Sequence, residues 1–179
     1  MRGAGCVQSA LPVRMLSSKG FTLVEMIIVV AIIGILLAIA TLNFDLMGKK
    51  YNIESQVKQM LADFEDVRMA SIQTKKQHAI LLNPNGYVFL IYSSLNDPSG
   101  EQVFTKTLKY QIQLMSAGQY SAFSNTPLTI SPLGYLTAPL PPLTIAVAPG
   151  LGNPYVNCLT LQDVKTNIGV IQGGNCVFR

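Results

Sequence analysis

Residues 21–42 contain a single charged side chain, Glu25, and residues 26–42 contain none. In so apolar a stretch a carboxylate is unfavourable by an amount on the order of a few kcal/mol at the centre of a bilayer, and less near its edge, so it calls for a partner of opposite charge. The obvious partner is a positive charge from another copy of the chain. The second group with chemical potential is the pair Cys158 and Cys176; a third cysteine, Cys6, precedes the apolar run. An even pair near the end of an exported domain reads as one disulfide. Two free buried thiols, or half of a metal site, are the alternatives, although no second Cys or His pair is present to complete a tetrahedral set.

The remaining candidates are thinner. His78 is the only histidine and lies beside Lys75 and Lys76, where capping or a surface position is the plainer role than catalysis. Asp97 and Glu101 flank Pro98, Ser99 and Gly100 in a loop suited to calcium, but two carboxylates are too few for a site. No nucleophile motif, phosphate loop or metal-spaced ligand set occurs. The expectation is therefore a chain that is not an enzyme, with no catalytic residue, no metal and no cofactor.

These groups need elements to hold them. The chain has 179 residues, 49% hydrophobic and 12% charged, enough for one domain with a core but very apolar for a soluble one. The run at 21–42 has the length of a membrane-spanning helix. It is too long for an ordinary signal peptide, and no small-residue cleavage site follows it at Asn43, Phe44 and Asp45. Arg14 and Lys19 precede the run, so the positive-inside rule keeps the N-terminus cytoplasmic and sends the rest across. Three of the thirteen Lys/Arg (Arg2, Arg14, Lys19) lie before Phe21 with no acid, leaving ten against nine Asp/Glu. That near balance gives no warrant for nucleic-acid binding, and the head's Lys106, Lys109, Lys165 and Arg179 support a DNA-uptake role only weakly.

The heptapeptide Lys19, Gly20, Phe21, Thr22, Leu23, Val24, Glu25, followed by the apolar run 26–40, resembles the prepilin signature of type IV pilins and pseudopilins. The resemblance implies cleavage by a prepilin peptidase between Gly20 and Phe21, N-methylation of the new Phe21 amine, and a Glu25 carboxylate that pairs with a neighbour's N-terminal amine during assembly. A buried carboxylate meeting a buried ammonium relieves two desolvation penalties together. Family leaders are often about half a dozen residues long and this one has twenty, so translation from Met15 would restore the ordinary length and place Cys6 outside the protein. A lipoprotein reading of Gly3, Ala4, Gly5 and Cys6 lacks a preceding apolar segment.

Beyond Leu42, Ile53, Val57, Met60, Leu61, Phe64, Val67 and Ile72 recur at spacings of one helix face. Lys49, Lys50, Glu54, Lys58, Asp63, Glu65, Asp66 and Arg68 fall mainly between them and read as a solvated face. A helix from about Thr22 to Lys75 or Lys76 would be ~80 Å long, with Gly34 and Gly48 as weak points. From His78 the pattern turns to strands. Residues 79–82 and 87–92 flank the turn sequence Asn83, Pro84, Asn85, Gly86. Leu108, Tyr110, Ile112 and Leu114 alternate with polar residues as in one half-buried strand, and 128–130, 143–148, 156–161 and 168–171 follow between Gly, Pro and Asn clusters.

The expected fold is α+β: a leader at 1–20, a membrane-spanning half-helix at 21–42, an amphipathic half at 43–77 packed on a β-rich head at 78–179. This plan resembles the H-type pseudopilins and related minor pilins, including the helix-to-strand passage at 63–79 and the strand-to-glycine turn at 130–134. Some pilins close a C-terminal loop with a disulfide, as Cys158 and Cys176 would. The resemblance implies a structural subunit of a type IV pilus or a type II secretion pseudopilus, held in the bacterial inner membrane with its head outside the cytoplasm. Its partners would be other pilins or pseudopilins, prepilin peptidase, an inner-membrane assembly platform and, before assembly, lipid. The rival from another class is a signal-anchored binding module or enzyme whose β domain acts alone.

Overall fold

The computed structural model describes residues 20–94, 97, 99–123, 127–139, 142–151 and 153–179, without the side chains of 40–43. Readings that rest on the leader up to Lys19, including Cys6 and Met15, and on Pro98 lie outside the described residues. The chain divides into two compact units, Met1–Leu42 and Asn43–Arg179.

One helix, α1 (Leu23–Thr74), contributes to both. It is free of proline and rich in Leu, Ile, Met and Ala, and it runs unbroken through Gly34 and Gly48. It stops where Lys75 takes a left-handed φ of 57°, the backbone state that commonly closes a helix C-terminus. The Thr74 hydroxyl donates back to the Ala70 carbonyl at 2.7 Å. From Leu23 to Ile39 every described side chain is exposed, and the segment is long and apolar enough to cross a membrane by length and composition.

In the second unit the rest of α1 lies against eleven strands: β1 (His78–Asn83), β2 (Gly86–Ile91), β3 (Glu101–Thr107), β4 (Ile112–Ser116), β5 (Gln119–Ser121), β6 (Leu128–Ile130), β7 (Leu136–Ala138), β8 (Leu143–Val147), β9 (Cys158–Leu161), β10 (Thr166–Gln172) and β11 (Asn175–Phe178). They form two antiparallel sheets, ordered β3-β2-β1-β6-β7 and β11-β10-β9-β8-β4-β5. The fold is α+β, as the alternation of helical and strand periods predicts. Ile53, Val57, Met60, Phe64 and Val67, the stripe read from the sequence, are buried together with Ile80, Tyr87, Ile112, Ile145 and Leu159 from the strands. The β1–β2 hairpin closes at Asn83 opposite Gly86, with the Asn85 N–H bonded to the Asn83 side-chain oxygen at 3.1 Å.

Two expectations need correction. The alternation at 108–114 does not make one strand: β4 begins at Ile112, and 108–111 carry the chain from the first sheet to the second. Its peptide groups find partners outside a ladder. The Leu108 N–H donates to the Asn85 carbonyl (2.8 Å) and the Ile112 N–H to the Pro84 carbonyl (2.9 Å). The Tyr110 N–H donates to Gln56 Oε1 (2.9 Å), and Gln56 Nε2 donates to the Tyr110 carbonyl (2.8 Å). Leu108 and Tyr110 still pack on the core, which is why the period-2 signal is genuine although the strand is not.

Nor is the charged face of α1 wholly solvated. Arg68 is buried, its guanidinium donating to the carbonyls of Asp163 (3.2 Å) and Gln162 (3.5 Å), with Glu65 3.9 Å away. Asp63 is half-buried and accepts from Lys106 at 2.5 Å and from the Tyr87 hydroxyl. A long cationic stem can lie along apolar surface while its head reaches buried carbonyls, so charge alone does not mark the outer face. Beside Arg68 the turn at 131–134 comes close: a Cβ on Gly134, at φ 85°, would fall 2.8 Å from Ile72 Cδ1. Strands β3, β5 and β7 are not among those the sequence predicts. β3 is an edge strand with mostly exposed residues, so it has no alternation of burial to read.

Candidate processing and assembly site

Thr22 sets the start of α1. Its hydroxyl accepts the Glu25 backbone N–H at 3.2 Å and its carbonyl accepts the Met26 N–H at 3.2 Å. A threonine at the cap with a glutamate three residues on is the capping-box spacing, and an acid in the first turn faces the positive end of the helix dipole. Thr22 therefore has a defined role that the sequence analysis did not assign, although the Thr-x-x-Glu spacing signals it. Glu25 occupies the first helical turn, where its backbone helps to fix the helix origin.

Gly20 and Phe21 precede the helix in non-helical backbone. Phe21 is 72% exposed, and a Cβ on Gly20 would meet nothing within 4 Å. The Gly20–Phe21 peptide thus lies in open chain immediately ahead of a capped helix, the kind of backbone a peptidase can take in extended form. Helical backbone, by contrast, has its carbonyls and N–H groups already bonded.

Residues 15–41 match the model of the prokaryotic N-terminal methylation motif. That span takes in Gly20, Phe21 and Glu25 and is consistent with a type IV pilin-like protein. Such a signature implies processing by prepilin peptidase and assembly with other pilins, and with the apolar helix it suits membrane anchoring with the head outside. Neither a curated protein nor a solved structure matches the chain.

The other sequence-derived candidates lie in the second unit and form no single cluster. Cys158 on β9 and Cys176 on β11 are joined by a disulfide, with Cα atoms 6.0 Å apart, across the strand order β11-β10-β9. Here β10 and β11 approach closely: a Cβ on Gly169, the residue opposite Cys158, would fall 2.2 Å from the Val177 carbonyl oxygen.

Asp97 is half-buried and fully engaged by its own loop. It accepts from the Ser93 N–H (3.0 Å) and hydroxyl (2.9 Å) and from the N–H groups of Ser99 (3.2 Å) and Gly100 (3.1 Å). Those bonds, the Ser93 N–H foremost, lower its carboxyl from the ordinary value to about 2. Glu101 begins β3 instead of joining that carboxylate.

His78 is buried at the helix-to-strand junction, with Nδ1 3.1 Å from the Lys76 carbonyl, so the surface alternative falls and a local bracing role is what its contacts describe. The Tyr87 hydroxyl is pushed well above its usual range by burial first, and then by the Asp63 carboxylate it donates to. Among the four basic head residues, Lys106 pairs with Asp63, Lys109 lies 5.8 Å from the Tyr110 ring centre, and Arg179 lies 5.3 Å from that of Tyr155.

Proposed function

We propose that this chain is a structural subunit, a minor pilin or pseudopilin, that is cut between Gly20 and Phe21, methylated on the Phe21 amine and assembled into a type IV pilus or a type II secretion pseudopilus. The observation that carries the reading is the methylation-motif match over residues 15–41, which falls on an exposed Gly20–Phe21 link ahead of a capped helix whose apolar residues from Leu23 to Ile39 are exposed. Before assembly the apolar segment is stored in the inner membrane and the head stands outside the cytoplasm. In the filament, Glu25 meets the N-terminal ammonium of a neighbour, so that each charge lowers the desolvation penalty of the other. The chain has no nucleotide-binding motif, so the work of extraction comes from a separate cytoplasmic motor acting through a membrane platform.

The deciding measurement is the intact N-terminal mass of the protein purified from its native membrane. A chain beginning at N-methyl-Phe21 is the expected result. One beginning at Met1 or Met15 would make the helix a plain anchor and the head an independent module. In the same preparation Glu25→Ala should be cut normally but enter filaments poorly; normal incorporation would remove the assembly role from this carboxylate.

A further inference from the structure

Between the fully apolar run and the first core residue, Ile53, α1 carries a segment that the head does not cover. Phe44, Met47 and Tyr51 are 70%, 70% and 71% exposed, and Leu46 is exposed as well. Their spacing of three and four places Phe44, Met47 and Tyr51 on one stripe. At about 100° per residue that stripe points roughly opposite to the one formed by Ile53, Val57, Met60 and Phe64, which is buried against the strands. The head therefore cannot cover it by extending its own core. Lys49 and Lys50 sit within the same segment, against Asp45 as the only acid, and among the described residues neither lysine has an ion-pair partner.

We infer that residues 44–51 form a collar that binds anionic phospholipid headgroups at the outer face of the membrane, with Phe44, Met47 and Tyr51 in the interface and Lys49 and Lys50 on the phosphates. The inference rests on the membrane-anchoring reading above. Aromatic rings with one wet edge settle at the headgroup level, and lysines near the end of a spanning segment extend their amines to it. From Asn43 to Tyr51 the helix rises about 12 Å, and its side chains lean back toward the N-terminus by roughly a turn. That brings the tyrosine hydroxyl and the lysine amines toward a headgroup layer some ~5–8 Å deep. Two cations against one anion favour an anionic surface over a neutral one. The partner is lipid because the stripe continues directly from a segment apolar enough to span the bilayer and because its residue types are those of the interface.

The chain contains no tryptophan, so Tyr51→Trp introduces a single indole fluorophore into the full-length protein. Reconstituted at one chain per lipid nanodisc, the Tyr51→Trp variant should be quenched most by phospholipids brominated near the headgroup, whereas an Ile33→Trp variant should be quenched most by lipids brominated deep in the chains. Brominated phosphatidylglycerol should quench the indole at position 51 more than brominated phosphatidylcholine at equal content, and Lys49→Gln with Lys50→Gln should bring that ratio to one. An unquenched, fully hydrated indole at position 51, with the one at position 33 quenched, would overturn the collar and leave the membrane anchor standing. If the indole at position 33 were unquenched too, both would fall. A phosphatidylglycerol preference that is absent, or that survives loss of both lysines, would overturn the headgroup recognition.

Discussion

Ile28 and Ile53 belong to the same helix and the same residue type, yet Ile28 is 53% exposed and Ile53 is fully buried. The first stands in a segment that is apolar on every side, and the second on a stripe that the strands of its own chain cover. An all-round apolar helix must find its cover in lipid or in other chains, whereas a striped one is satisfied within its own fold. The contrast separates two kinds of stability: one intrinsic to the monomer, the other supplied by what surrounds it.

Truncation within the two segments should break them unequally. Phe64 is buried and packs edge-on against Tyr87 with ring centres 5.4 Å apart. Phe64→Ala should lower the stability of the head by about 3–5 kcal/mol, whereas Ile28→Ala should leave the head's unfolding midpoint in denaturant unchanged. Equal losses would mean that the apolar segment stabilises the head after all.

Removing the disulfide should have the next largest effect. Its cysteines are 18 residues apart, and a loop of that size contributes about 3 kcal/mol in the chain-entropy account. With Cys158→Ser and Cys176→Ser the head should melt earlier, while the helical circular dichroism of the apolar segment in detergent should persist. Loss of both signals together would show that the two parts unfold as one.

The smallest effect is a matter of pH. The Asp97 carboxyl titrates at about 2 in the folded loop, below its ordinary 3.8. Its hydrogen bonds are therefore fully present above about pH 4 and are lost as pH falls from there through 2. The amide resonances of Ser93, Ser99 and Gly100 should move over that window, and Asp97→Asn should abolish the movement without changing the core.

The apolar segment was the more legible of the two. A run of one residue class with a single acid, ahead of which stands Lys-Gly-Phe, needs no tertiary information, and Thr22 is the one functional residue there that the motif reading left without a role. The buried stripe from Ile53 to Val67 was equally plain, because helical period and burial coincide. What the head concealed was the result of long-range pairing. Arg68 looks like a surface cation until the carbonyls of residues 162 and 163 arrive from 94 and 95 positions away. The strand alternation at 108–114 correctly reports which side chains are packed, but cannot say that a glutamine fifty-four residues earlier takes the place of a neighbouring strand.

That glutamine has a mechanical consequence. Gln56 both donates to and accepts from Tyr110, so the head portion of α1 is tied to the crossover between the sheets by two bonds at a single point. Sliding the helix by one turn would carry that amide about 5.4 Å away and break both bonds together. The fit of the helix to that crossover is consequently indexed at this point: a pull along α1 meets no gradual yielding there, but holds the pair in one register or releases it.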